Sequence, residues 1–374
     1  MNLSKQHLID ELLTYCGMAL DLTPTQYKNA TQKYQAVGDW LNKPGTLLAE
    51  AQPLIYPQGS MAIGTATKPV NRSEFDLDLV CQIQINDEAS PADLKRAVGQ
   101  RLKENDIYLE RLEEKNRCWR IVYADEFHMD ILPGRHYPRA ISGTALLVSD
   151  KNLATWKETD PKGYANWFAE RCHHQITLVK GVRDEVEAPP PSPQTSTKMP
   201  LQLAVQILKR HRDLRFGDDK DAPISIIITT LAAKAYEGQN SVFETLLRLI
   251  ARMPSFIEKD SSGESMVINP VNPQENFADK WREAPRKENL FFDWLHAAKR
   301  DLIRLSNTSL PNAVNDLTPF VGERISSEAV RQYAKNLNDQ RKTTLRCLTA
   351  TGVLGAESAN ARPIPPNTFF GRDS

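Results

Sequence analysis

Hydrophobic residues recur at helical spacing in TPTQYKNATQKYQAVGDWLN, where Tyr27, Ala30, Tyr34, Val37 and Leu41 share one face behind a Thr-Pro start. One long amphipathic helix is predicted there, ending before Pro44-Gly45. The next apolar stretch, LIYPQGSMAIGTAT, is short and broken by Pro57, Gly59 and Gly64. EFDLDLVCQIQI follows, with Phe75, Leu77, Leu79, Cys81, Ile83 and Ile85 alternating with Asp76, Asp78, Val80, Gln82 and Gln84, the period-two pattern of a half-buried strand. Asp76 and Asp78 therefore project from the same face. Leu94, Ala97, Val98 and Leu102 predict a helix opened by Pro91, and CWRIVYADEFHMDILPG predicts two strands turning near Ala124-Asp125.

Beyond residue 200 the pattern turns helical. LQLAVQILKRHRDLRF carries Leu201, Ala204, Val205 and Leu208 on one face, PISIIITTLAAKAYEG starts with Pro and stops at Gly238, and Ser241 with Glu244 forms a capping-box pattern ahead of LLRLIARM. Two further helices are predicted in ENLFFDWLHAAKRDLIRL and SEAVRQYAKNLNDQ, and SMVINPVNPQENFADKW, with two Asn-Pro steps, reads as a loop or short hairpin. DEVEAPPPSPQTSTKMP has no periodicity and reads as an exposed connection. The expected organisation is residues 1–183 as one lobe that includes the long N-terminal helix, 184–200 as a Pro-rich connection, 201–350 as a helical lobe and 351–374 as a mobile tail. The fold class is α+β, a sheet with helices followed by a helical half.

Composition narrows the function. The 374 residues exceed one ordinary domain, and 40% hydrophobic with 25% charged residues describes a globular chain. The longest apolar run, near Ile224–Ala233, is interrupted by Ser225, Thr229 and Thr230 and is too short to span a bilayer. With no secretory leader pattern, a cytosolic protein without membrane contact is expected. Lys plus Arg equals Asp plus Glu at 47 each, which removes the global positive field of a duplex nucleic-acid binder and confines any polyanion site to a local patch. Five scattered cysteines without a C-x-x-C indicate neither a disulfide framework nor a zinc ribbon, and Cys172-His173-His174 lacks a second ligand cluster.

Three features of the first half carry chemistry. Gly59-Ser60 follows a strand-like entry, where backbone amides at a tight turn or helix start cradle phosphate oxygens. Asp76 and Asp78 offer hard oxygen ligands suited to magnesium shared with a triphosphate. Asp130 in HMDILP would face the same way from a later strand, and an adjacent antiparallel strand would set it beside the pair. Three clustered carboxylates raise one another's pKa unless cations neutralise them, and a divalent pair does so. The chemistry that follows is nucleotidyl transfer, with a ribose hydroxyl attacking an α-phosphorus and pyrophosphate leaving. Each feature alone is commoner as a solvated strand face or plain turn, and the combination is what sharpens the reading.

The G-S, D-x-D, third-Asp order resembles the polymerase-β-like nucleotidyltransferases. More narrowly, YPQGSMAIGTAT, EFDLDLV and FHMDILPG, followed by ILKRHRD, PISIIITTLAAKAY and INPVNPQENFADKW, resemble the bacterial cGAS/DncV-like nucleotidyltransferases (CD-NTases), relatives of oligoadenylate synthase. The resemblance spans about Tyr27 to Trp294. It implies a two-lobed enzyme with its active site in the cleft. Two Mg²⁺ ions, with Mn²⁺ as substitute, would join ATP or GTP into a cyclic di- or trinucleotide. The messenger would act in anti-phage defence by activating an effector. By position it implies Asp76, Asp78 and Asp130 as metal ligands and catalytic residues, with Gln58, Gly59, Ser60, Lys209 and Ser225 at the nucleotide. A monomer is expected, with no DNA partner.

Competing readings stay open. Lys209 lies in KRHRDLR among Arg210, Arg212 and Arg215, a cluster that also suits a solvated helix face, and Ser225 near a helix start also suits a cap. Tyr27, Tyr34, Trp40, Phe291, Phe292 and Trp294 fit core positions, and His128 carries no assigned role. The second enzyme reading is a template-independent transferase acting on RNA or another acceptor. A catalytically dead nucleotide-binding scaffold is the third, disfavoured because nothing would retain three repelling carboxylates.

Overall fold

The chain begins with α1 (Leu3–Leu20) and the predicted long helix α2 (Pro24–Leu41). A reciprocal cap fixes the first turn of α2: the Thr23 hydroxyl accepts from the Gln26 amide at 3.2 Å and the Gln26 side chain accepts from the Thr23 amide at 3.0 Å. One turn of helix, α3 (Leu47–Glu50), leads to β1 (Leu54–Pro57), the short α4 (Gly59–Ala62) and the predicted strand β2 (Phe75–Gln82). Next come α5 (Pro91–Lys103), α6 (Asp106–Leu109), β3 (Leu112–Glu114), β4 (Trp119–Tyr123) and β5 (Phe127–His136). β6 (Leu146–Ser149), β7 (Trp156–Thr159) and α7 (Pro161–Arg171) complete this half. This computed structural model describes residues 3–172, less short gaps at 71–73, 86–87, 125, 139, 141–142, 150–151 and 153, then 198–343 and three two-residue strands at 347–348, 354–355 and 362–363. Most of the Pro-rich connection and tail, and the His173-His174 pair, therefore lie outside the described residues.

The sheet runs β1-β2-β5-β4-β3, with β6 and β7 continuing from the far end of β5. In one respect it differs from expectation. β5 lies beside β2, but parallel to it, with Asp78 opposite Asp130 and Asp76 opposite His128. The chain leaves β2, crosses through α5 and α6, and forms the β3–β4 hairpin outside; β5 then turns back from β4, antiparallel to it, into the central slot. A crossover of that kind delivers a parallel neighbour, and the side-chain face is unchanged because register fixes it. On the covered face Leu77, Leu79, Cys81, Ile121, Met129 and Ile131 pack beneath Ala30, Tyr34 and Val37 of α2 and Leu94, Val98 and Leu102 of α5. The carboxylates stand on the opposite face.

The helical half comprises α8 (Pro200–Phe216), α9 (Ser225–Ala235), α10 (Val242–Arg252), the ribbons β8 (Glu258–Lys259), β9 (Ser265–Met266), β10 (Ile268–Asn269) and β11 (Asn272–Asn276), then α11 (Asp279–Glu283), α12 (Pro285–Leu305), α13 (Ala313–Val321) and α14 (Glu323–Thr343). The Asn-Pro segment forms the short β10–β11 hairpin. Ser241 caps α10, its hydroxyl accepting from the Glu244 amide at 3.1 Å. The two cores do not split at one point of the chain. Ile9, Leu12, Leu13 and Cys16 of α1 and Tyr164 and Phe168 of α7 join the core of α8 to α14 rather than that of the sheet. Phe291 and Trp294 are fully buried there, as their spacing predicts. Helix α8 was expected to bury one face; residues Leu201 to His211 are all buried, because α8 is the central helix, wrapped by α1, α9, α10, α12 and α13.

Candidate active site

The sheet and the helical half face each other across a cleft of about 580 Å³. Asp76 and Asp78 line one wall from β2, with Gln58, Gly59 and Ser60 beside them; Lys209, Arg212 and Ser225 line the other from α8 and α9. All the site residues expected from sequence except Asp130 thus border one space.

The turn before α4 explains the Gly-Ser pattern. Gly59 has φ +60°, which favours glycine, and a Cβ built there would lie 2.5 Å from Asp78 Oδ2. The Gln58 amide donates to the Asp78 carbonyl at 2.8 Å, stitching the turn to β2. Any side chain at 59 would push the carboxylate aside. The chain beyond, residues 63–69, is held from α8 by a stripe of buried polar groups. Gln202 donates to the Ile63 carbonyl at 3.0 Å, Gln206 to the Ala66 carbonyl at 2.6 Å, Lys209 to the Thr65 hydroxyl at 2.9 Å, and Arg210 to the Lys68 carbonyl. Lys209 and Arg210 are therefore on no solvated face, at 6% and 3% exposed, whereas Arg215 at the end of the same cluster is exposed. Ser225 is not the cap of α9, which is Ile224; its hydroxyl accepts from Arg212 at 3.0 Å. The signal for this stripe lay in the i, i+4, i+7 spacing of Gln202, Gln206 and Lys209, masked by the basic residues around it.

Asp130 corrects the expected geometry. Its side chain is on the predicted face, but both oxygens accept from Arg120 on β4, at 2.7 and 2.8 Å, and Arg120 also lies 3.6 Å from Asp76. Among the described residues no group of three or more His, Cys, Asp or Glu is gathered to hold a metal ion. Coulomb attraction turns the carboxylate to the nearest cation, and that cation is Arg120, in register across the strand pair. Arg120 was not singled out from sequence, where the alternation of CWRIVY marks only a strand. His128 shares this face and pairs with Glu74.

Charge and burial are in tension here. Burial, then repulsion from Asp76 and Asp130, pushes the Asp78 carboxyl up to about 7. Asp76 is also raised, by burial first, with Arg120 opposing. Across the cleft, burial and then the Arg212 charge push the Lys209 ammonium down to about 7. Carboxylates that resist ionisation in the bare site and an ammonium that resists protonation suit a divalent cation bound with a polyanion. Asp76 and Asp78 have the chemistry to hold that cation, as Mg²⁺ takes one or two carboxylates plus phosphate oxygens.

A mixed sheet bearing D-x-D beside a Gly-Ser turn, closed over by a helical half, defines a polymerase-β-like nucleotidyltransferase. Comparisons with known proteins narrow the class. Residues 8–172 match the family model described as the Second Messenger Oligonucleotide or Dinucleotide Synthetase domain, SMODS. The chain is 32% identical to a c-di-GMP synthase of Roseivirga ehrenbergii, covering 97% of each protein. It is 25% identical to the cyclic dinucleotide synthase CdnG of Bradyrhizobium diazoefficiens, covering 94% of this chain and 90% of that one. In fold it is similar to CdnG solved in complex with GTP, with TM-score 0.67 and 24% identity over 87% of this chain and 99% of that one. Vibrio cholerae DncV in its apo form gives TM-score 0.51 and 18% identity over 88% and 92%. The chain belongs to the bacterial CD-NTases, and it is a nucleotidyltransferase of the kind that synthesises cyclic oligonucleotides. No helix among its described residues is long and apolar enough to cross a membrane.

Proposed function

We propose that the chain joins two molecules of GTP into cyclic di-GMP. The observation that carries this is the pairing of Asp76 and Asp78 with the Gly59-Ser60 turn, opposite Lys209 and Arg212, in one cleft. The 32% identity to a c-di-GMP synthase over nearly the whole chain supports the choice of base and ring size. In the first step a ribose hydroxyl of one nucleotide forms a bond to the α-phosphorus of the other. The bond to the bridging oxygen breaks, pyrophosphate departs with the electron pair, and the hydroxyl proton passes to solvent. The second step repeats this within the linear product and closes the ring.

Asp76 and Asp78 would hold Mg²⁺, or Mn²⁺ in its place, and Asp130 would join them once Arg120 releases it. Bound there, such ions supply acidity to the attacking hydroxyl and neutralise the leaving pyrophosphate. Lys209 and Arg212 face the phosphates from the helical wall, and the Arg212 contact to Ser225 orients both. Gln58 and Ser60 lie where the turn meets the triphosphate. The enzyme acts as a monomer in the cytosol, and the cyclic product is the messenger to an effector in anti-phage defence.

The test gives purified protein the four ribonucleoside triphosphates with Mg²⁺ and identifies the products by mass spectrometry. Pyrophosphate and a phosphatase-resistant cyclic product built from GTP are expected. Incorporation of ATP instead changes the base assignment, and linear or RNA-attached products alone overturn ring closure in favour of a template-independent transferase.

A further inference from the structure

We infer that Glu275 is the residue that selects guanine, by accepting hydrogen bonds from the N1–H and 2-amino groups of the base; this rests on the nucleotidyl-transfer reading of the same cleft. Six acidic residues line the cleft: Glu74, Asp76, Asp78, Asp160, Asp213 and Glu275. Five are committed elsewhere. Glu74 pairs with His128, and Asp76 and Asp78 form the cation site. Asp160 caps α7, accepting from the Gly163 amide and the Thr144 hydroxyl, both at 2.8 Å. Asp213 accepts from Arg212 at 2.5 Å.

Glu275 is different. It stands on β11, in the wall contributed by the helical half, with its side chain only 16% exposed. Oε2 accepts from the Asn269 side-chain amide at 2.8 Å, and Oε1 is paired with Lys157 only at long range, 4.0 Å. Asn269 is itself buried and fixed, its carbonyl oxygen accepting from the Val271 amide at 3.1 Å. The carboxylate is thus oriented through one oxygen and keeps accepting capacity on both. Two residues on, Phe277 lines the same cleft, its amide donating to the Val267 carbonyl at 2.9 Å and its ring set edge-on to Tyr164 at 6.1 Å. A fixed aromatic face beside a fixed carboxylate is a site for a planar base read along its Watson–Crick edge. Guanine presents two adjacent donors there, which a carboxylate accepts together. Adenine offers an acceptor at N1, which a carboxylate repels.

The experiment compares GTP with ITP, which lacks only the 2-amino group, and with ATP, on the full chain and on Glu275→Gln. The amide keeps the volume and an oxygen for Asn269 but presents a donor in place of an acceptor. In the wild type kcat/KM for GTP should exceed that for ITP about tenfold or more. In Glu275→Gln that ratio should fall toward one, with the ATP rate held or raised. Equal losses for all three nucleotides, as a purely structural role in the β10–β11 hairpin would produce, overturn the inference. So does a wild type that fails to discriminate GTP from ITP. Calorimetric binding of GTP and ITP in EDTA gives a second reading: the variant should weaken GTP by more than it weakens ITP, which keeps the N1–H but has no 2-amino group, and equal effects on both overturn the inference. Absence of pyrophosphate from any nucleotide would instead sink the nucleotidyl-transfer reading, and the binding arm would still decide on Glu275.

Discussion

The two walls of the cleft set residues of opposite charge, Asp78 and Lys209, in low dielectric, and burial shifts the two in opposite directions. On the strand wall burial holds the Asp78 proton up to about 7; on the helix wall it lets the Lys209 proton go at about 7. The strand wall is a bare face of a sheet whose acids repel one another, with Arg120 as the local neutraliser. The helix wall is the central helix of its core, whose polar side chains are tied to backbone oxygens of residues 63–69. Low dielectric penalises whichever charge it surrounds, so each wall lacks what a magnesium-bound triphosphate brings: a cation to one, an anion to the other.

Breaking the strand wall should have the largest effect. Asp76→Asn combined with Asp78→Asn should lower pyrophosphate release by on the order of 10³-fold with an unchanged circular-dichroism spectrum. Gly59→Ala, which adds a carbon against Asp78 Oδ2 at a positive φ, should cost about 10²-fold in kcat by displacing the carboxylate. On the helix wall, Lys209→Met should lower kcat/KM for the triphosphate about tenfold, measured at pH 6.5, with the loss smaller as pH rises and wild-type Lys209 discharges.

Stability in EDTA against pH sharpens the same contrast. Folded Asp78 retains a proton that the unfolded chain, with its ordinary carboxyl pKa of 3.8, has lost, so its contribution falls as pH rises from about 4 to about 7. Folded Lys209 has lost a proton that the unfolded chain keeps up to 10.5, so its contribution rises from about 7 to about 10. Asp78→Asn should flatten the first slope and Lys209→Met the second in calorimetric Tm profiles; a shared effect on both slopes would show that the two walls titrate as one unit. The smallest effect should come from Arg120→Gln, which leaves Asp130 without its partner: a Tm lower by a few degrees in EDTA and recovered by Mg²⁺.

How much of this was legible depends on the element. β2 could be read outright, because its side chains repeat every second residue and one face is covered. α2 could be read from its stripe and cap. α1 was as legible, with Ile9, Leu12, Leu13, Cys16 and Leu20 at helical spacing. The stripe on α8 was hidden, because a helix buried on all sides shows no contrast between faces, and its polar residues look the same whether they meet water or a neighbouring carbonyl. The capture of Asp130 by Arg120, beside the acidic pair, went unread for another reason: Arg120 is a neighbour only across a strand pairing.

The sequence by itself determined which residues share a face, where the glycine turn falls and that two carboxylates leave one strand together, since these follow from local backbone geometry and a period of two or 3.6. Tertiary structure alone decided that β5 runs parallel to β2, that Lys209 and Glu275 meet the same cavity as Asp78, and that a strand-borne arginine holds the third acid. Those outcomes depend on contacts between residues from ten to about two hundred positions apart, and on the desolvation they create, which no local pattern encodes.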